Sequence, residues 1–133
     1  MNKIFSMKKI ILLFFTVFHI NLFSQNIIDK PVIKFDTTAY CFGKIAKNKE
    51  VEKKFYFENL GNEPLIIMNV TTTCGCTVSD WSKEPIGKGK KGYVVIKYKS
   101  GSLGKFSKTA YVFSNAINSP TELKITGEVV KKR

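Results

Sequence analysis

The chain has 133 residues and a formal charge of +12, from 22 Lys plus Arg against 10 Asp plus Glu. At 44% hydrophobic and 13% aromatic it is too apolar to stay disordered, and its length suits one domain with at most an appendage. Three cysteines and a single histidine exclude a disulfide-dense miniprotein and a standard zinc finger.

Residues 1–24 read as an export signal. Lys3, Lys8 and Lys9 precede a largely apolar run from Ile10 to Phe23, followed by Ser24 and Gln25. A positive start, an apolar stretch and a small residue before a polar one are the parts of a secretory signal peptide. The run falls short of the roughly 20 apolar residues a membrane-spanning helix needs. It also carries Thr16, His19 and Asn21. No cysteine follows it to accept a bacterial lipid anchor. Cleavage is expected after Ser24, leaving 25–133 as one exported domain, periplasmic or extracellular, without a transmembrane segment. Removing 1–24 takes three lysines and no acid, which leaves +9, and it also takes the one histidine.

The remainder reads in period two, which places alternate side chains on one face of a strand. Val32–Phe35 is a short first strand. In Val51–Glu58, Val51, Phe55 and Phe57 share a face with Lys53 as the exception, while Glu52, Lys54, Tyr56 and Glu58 point the other way. Asn59 to Pro64 is a turn cluster, with Gly61 free to take positive φ. Strands follow at Leu65–Val70, Tyr93–Tyr98, Phe106–Phe113 and Leu123–Val130, separated by Gly87 to Gly92, by Gly101 and Gly104, and by Pro120. No stretch has helical periodicity. About seven short strands at regular spacing predict an all-β, immunoglobulin-like β-sandwich, with a half-open barrel as the competing architecture.

Val70 to Trp81 is the most unusual segment. Together with Phe42-Gly43-Lys44-Ile45, Phe55 through Leu65, Thr73-Cys-Gly-Cys-Thr77, Ile86 with the following glycines, Gly92 to Tyr98, and Gly104-Lys-Phe106 to Ser114-Asn115, it resembles the bacterial family DUF1573. That family is similar to the immunoglobulin-like domains of the ASPM, SPD-2 and Hydin proteins. The resemblance implies the same fold and an exported location, and it implies no reaction. Phe42, Gly43, Asn59, Gly61, Gly75 and Trp81 are then structural positions. The sequence departs from the family at Lys88-Gly89, where proline and glycine are usual, and at Cys41, where a polar residue is more common.

Cys74 and Cys76 flank Gly75, whose freedom would let the two sulfurs converge. Three readings stand side by side. One is a local disulfide in an oxidising compartment, structural or, if strained, redox-active. Another is soft-metal binding: zinc lacks its four ligands, whereas two thiolates with the Met68 thioether would suit Cu(I). The third is a tight corner with Trp81 packed nearby. Cys41 is an extra thiol that would pair with either partner or between chains.

Of the basic residues, only Arg133 is an arginine. Scattered lysines read as solvated faces and blunted sheet edges, with a field that attracts anionic glycans or lipid headgroups. Nucleic acid is a poor partner for such a chain, which has no arginine–aromatic platform. Without histidine, serine or cysteine nucleophiles lose their usual base. Glu50 and Glu52 lie among lysines. Asp80 and Glu84 bracket Trp81 and form the one hint of an acidic pocket. The expectation is therefore a non-enzymatic binding or structural module of the cell envelope that meets an envelope protein or an anionic glycan. The alternative is a thiol-redox or copper-handling protein using Cys74 and Cys76.

Overall fold

The computed structural model describes residues 29–73 and 76–132, apart from the side chains at 77 and 79. Residues 1–28, with the expected signal segment 1–24, and Cys74, Gly75 and Arg133 lie outside the described residues. The chain forms eight strands and, among the described residues, no helix: β1 Ile33–Phe35, β2 Ala39–Ala46, β3 Glu50–Asn59, β4 Ile67–Thr72, β5 Cys76–Trp81, β6 Lys91–Lys99, β7 Gly104–Ser114 and β8 Thr121–Val130. One sheet has the order β1-β3-β6-β5 and the other β2-β8-β7-β4. Every neighbour pair is antiparallel except β2 with β8. This is the immunoglobulin-like sandwich that the alternation predicts, with one strand more.

The core lies between the sheets and draws on both. Phe55 and Phe57 of β3, Val94 and Ile96 of β6, Val112 of β7, and Leu123 and Ile125 of β8 are all buried. Phe57 meets the Phe35 ring edge-on at 5.2 Å. Lys53, the misfit on this face, lies where the sheets part, with its Nζ over the Tyr40 ring at 4.4 Å from the centroid. An ammonium over an aromatic face keeps its charge favourably placed, so the break in the pattern has a physical cause.

Two strands escaped the period-two reading. In β2 only Ile45 is buried, and a bulge between Cys41 and Lys44 shifts the alternation. Gly43 sits in that bulge at φ 67°. In β5 a second bulge falls between Val78 and Asp80. Leu65, expected to open a strand, instead makes an isolated bridge to Ile86, and β4 starts at Ile67.

The 59–64 turn is fastened by a buried amide. Asn59 Oδ1 accepts from the Gly61 N–H at 2.9 Å, and its Nδ2 donates to the carbonyls of Glu63 and Ile86 at 2.8 and 2.9 Å. Gly61 lies against the backbone of Lys30, Pro31 and Val32, and any Cβ there would collide with main chain. The turn and the start of the described chain therefore lock together, which places β1 against the far half of β3.

Candidate functional site: two thiols and an open strand edge

Cys76 opens β5 directly opposite Tyr98 of β6, on the face turned toward the other sheet. It is half-buried against the core. Its N–H reaches the Thr73 carbonyl at 3.4 Å, and the Thr72 hydroxyl donates to its carbonyl at 3.0 Å, closing the corner between β4 and β5. The Tyr98 ring stacks on Phe106 of β7 at 4.1 Å. Burial pushes the Cys76 thiol up, against the smaller downward pull of the Lys108 ammonium. Burial likewise raises the Tyr98 phenol, with the neighbouring Cys76 adding to it. A thiol held protonated in an apolar corner is a weak nucleophile.

Cys41 has the opposite setting. It is exposed on edge strand β2, in a free-thiol state like Cys76. Its sulfur accepts from the Gly43 N–H at 3.4 Å. That backbone bond, then a bond from the Thr126 hydroxyl, draws its pKa down and makes the thiol more acidic, against slight desolvation. It lines an open depression of about 550 Å³ on the outer face of β2, β8 and β7, together with Lys44, Lys105 and Glu128. In the intact protein we expect iodoacetamide to modify Cys41 first at neutral pH, with Cys76 reacting only on unfolding. Peptide mapping of labelled sites reads this out, and equal labelling of the two would contradict the burial argument.

A bridge from Cys41 to Cys76 is ruled out by topology. From Cys41 on β2, β8 and then β7 follow across the sheet, about 10 Å at two strand spacings, and Cys76 belongs to the other sheet. Disulfide Cα atoms must approach within about 7 Å. The Cys74–Cys76 pair and Gly75 between them fall partly outside the described residues. Met68 does not join Cys76: it is exposed on a bulge at the start of β4, whereas Cys76 follows that strand's far end. Among the described residues, no three His, Cys, Asp or Glu side chains converge as a metal site would require.

The acidic residues near Trp81 do not assemble either. Asp80 accepts from the Tyr93 hydroxyl at 2.9 Å, which raises that phenol's pKa. The Trp81 ring packs against the core on one side and lies under the Lys83 ammonium on the other. Glu50 and Glu52 both meet Lys97 at 3.7 Å on the outer face of their sheet, the solvent-facing charge pattern that the sequence suggests. Of the family-pattern positions, Asn59 and Gly61 fasten the turn, Phe42 and Gly43 shape the β2 bulge, and Trp81 caps the core.

The edges show what residue types could not. β1 pairs with β3 only over Phe57 to Asn59, with Asp36 N–H adding a bond to the Tyr56 carbonyl at 3.0 Å. The chain then leaves for the other sheet, where the Thr38 carbonyl accepts from the Lys124 N–H at 2.7 Å. In an antiparallel strand, successive residues direct their backbone groups to opposite sides. Odd-numbered residues of β3 face β6, as the Asn59 N–H bond to Lys90 shows. Glu50, Glu52 and Lys54 therefore turn their N–H and C=O groups to a side with no strand among the described residues. Elsewhere edges are blunted: β2, β4 and β5 each carry a bulge, and β1 has three residues. The open half of β3 keeps an unbroken register.

Two four-stranded sheets packed with this strand order define an immunoglobulin-like β-sandwich. The chain belongs to the family DUF1573, described as a protein of unknown function, whose model matches residues 33–129. No curated protein matches it. Among solved structures it is similar to a protein of unknown function from Porphyromonas gingivalis W83, with TM-score 0.64 at 16% identity over 81% of this chain and 51% of that one. The chain thus spans about half the length of that relative. It is also similar to the ASH / PapD-like domain 7 of human CEP192, with TM-score 0.62 at 9% identity over 79% of this chain and 89% of that one. A third likeness is to part of the secreted serine protease VesC from Vibrio cholerae, with TM-score 0.59 at 10% identity over 74% of this chain and 23% of that one. At these identities the likeness is one of fold.

Proposed function

We propose that the protein is a non-enzymatic binding module of the exported cell envelope, and that it captures an extended segment of a partner protein along the open half of β3. The observation that carries this is the regular, uncovered register at Glu50, Glu52 and Lys54 in a fold whose other edges are bulged or short. Strand addition uses backbone hydrogen bonds for affinity and alternate side chains for selectivity. Val51 and Lys53 would meet the inward side chains of such a segment, and Glu52 and Lys54 the outward ones. Family membership and the sandwich neighbours support a domain that works through its surface. The secreted neighbour is compatible with an exported location.

Glu52→Pro tests this, because it deletes one outward N–H and leaves the β3–β6 bonds in place. The wild-type protein should recover a reproducible partner from an envelope fraction, and the proline variant, folded by circular dichroism, should lose it. Recovery of the same partner by both would sink the edge assignment. Recovery of none by the wild type would remove the binding module itself.

A further inference from the structure

The positive charge is not spread evenly over the two ends of the sandwich. At one end the connections between strands, 59–66, 82–90 and 115–120, carry Lys83, Lys88 and Lys90 against Glu63 and Glu84. At the other end, 47–50, the stretch from Lys99 to Leu103 and the tail after β8 carry Lys47, Lys49, Lys99, Lys131 and Lys132 against one acid, Glu50, which pairs with Lys97. These segments are drawn together by backbone bonds: Lys47 N–H to the Val130 carbonyl at 3.0 Å, and Ser100 N–H to the Lys49 carbonyl at 3.0 Å. All five lysines are exposed, and none pairs with an acidic side chain among the described residues. Lys44 and Lys105 flank the group across Glu128.

At this basic end stands an apolar tip that shares a shallow depression with Lys99, Lys105 and Lys108. Leu103 is 48% exposed in the short β6–β7 turn. The turn is held at its base by buried Ser100, whose Oγ accepts from the Lys49 N–H at 3.0 Å and lies 2.8 Å from the Ala46 carbonyl. Of the aromatic rings nearby, Tyr98 is buried and Phe106 lies against both Tyr98 and Gly127, so neither presents an open face for a sugar to stack on. The N–H groups of Lys47, Asn48, Lys49 and Ser100 are spent on bonds within and between the connections, so these segments do not offer a peptide an edge. A leucine flanked by lysines matches a surface whose headgroups are anionic and whose interior accepts an apolar side chain.

We propose that this end of the sandwich docks on an anionic lipid bilayer, with the lysines on the headgroups and Leu103 inserted between them. The proposal does not rest on the β3 edge, which starts at Glu50 beside this end and runs from there up the side of the molecule. The test is flotation of the processed chain, residues 25–133, with phosphatidylcholine vesicles containing about one third phosphatidylglycerol. Binding should be present on these vesicles, absent on phosphatidylcholine alone, and lost as salt rises. The triple change Lys47→Gln, Lys49→Gln and Lys131→Gln should weaken it by about tenfold or more. The matching change at the opposite end, Lys83→Gln, Lys88→Gln and Lys90→Gln, removes the same charge and should leave it within about twofold. Leu103→Ser should weaken vesicle binding and leave binding to soluble heparin untouched. Equal losses from the two triple variants would overturn the site. Insensitivity of vesicle binding to Leu103→Ser, or no vesicle binding by the wild type, would overturn the bilayer.

Discussion

Replacing Asn59 by alanine is expected to lower the unfolding free energy by about 3 kcal/mol, read by urea denaturation. The side chain is fully buried and makes four bonds: its Oδ1 accepts from Gly61 and, at 3.4 Å, from Val32, and its Nδ2 donates to Glu63 and Ile86. Alanine would leave the buried Gly61 N–H without its acceptor, take from the Ile86 carbonyl one of its two donors (the Leu65 N–H remains), and lose the part-buried bonds to Val32 and Glu63; a buried group left unpaired costs more than a bond exchanged with solvent. Asn59→Asp is the sharper variant. It keeps the acceptor for Gly61 and Val32 but turns a carboxylate oxygen toward the Glu63 and Ile86 carbonyls. The aspartate protein should be at least as unstable as the alanine one near neutral pH. An aspartate variant as stable as wild type would mean that the amide does not donate to those carbonyls.

The second large effect belongs to Phe57→Ala, expected to cost about 4 kcal/mol. The ring is fully buried, meets Phe35 edge-on, and fills the space beside Gly92, where an added Cβ would press into it. That last contact makes the cost decomposable. Gly92→Ala should be strongly destabilising in the wild-type background and much milder once Phe57 is alanine, a coupling that a double-mutant cycle measures. Additive costs would show that Phe57 and Gly92 do not share a packing site. A loss of this size is a large fraction of the roughly 5–15 kcal/mol that holds a domain folded.

The strands legible in advance were those whose alternation survives intact. Phe55 and Phe57 in β3, Val94, Ile96 and Tyr98 in β6, and Leu123 and Ile125 in β8 are the buried residues that the period-two pattern selects. β2 and β5 were hidden by their bulges, because one extra residue moves every later side chain to the other face and erases the period. The spacing of the cysteines singles out Cys74 and Cys76, yet Cys41 is the exposed thiol of the two described, made more acidic by a bond from its own bulge. Residue type alone does not report that bond, since it depends on Gly43 turning its N–H back toward the sulfur.

The open edge had no signal in the side chains at all. Glu50, Glu52 and Lys54 read as ordinary outward charge, which they are. What exposes their backbone is that the chain pairs with β3 up to Asp36 and by Thr38 already belongs to the other sheet. A gap in a ladder is a property of where the neighbouring strand stops, three-dimensional information that composition and period do not carry. The basic end was half legible: the lysines were visible as scattered charge, and only folding gathers Lys47, Lys49, Lys99, Lys131 and Lys132 at one end.

Residue-resolved amide hydrogen exchange over β3 tests the open edge most directly. In the free protein the N–H groups of Glu52 and Lys54 should exchange rapidly, while those of Lys53 and Phe55, bonded to β6, exchange slowly, giving an alternating profile that ends where β1 begins. Adding the captured partner should slow Glu52 and Lys54 selectively. Uniformly slow exchange along Glu50–Phe55 in the free protein would mean that another segment already fills the position, and the account of how this domain binds would be wrong.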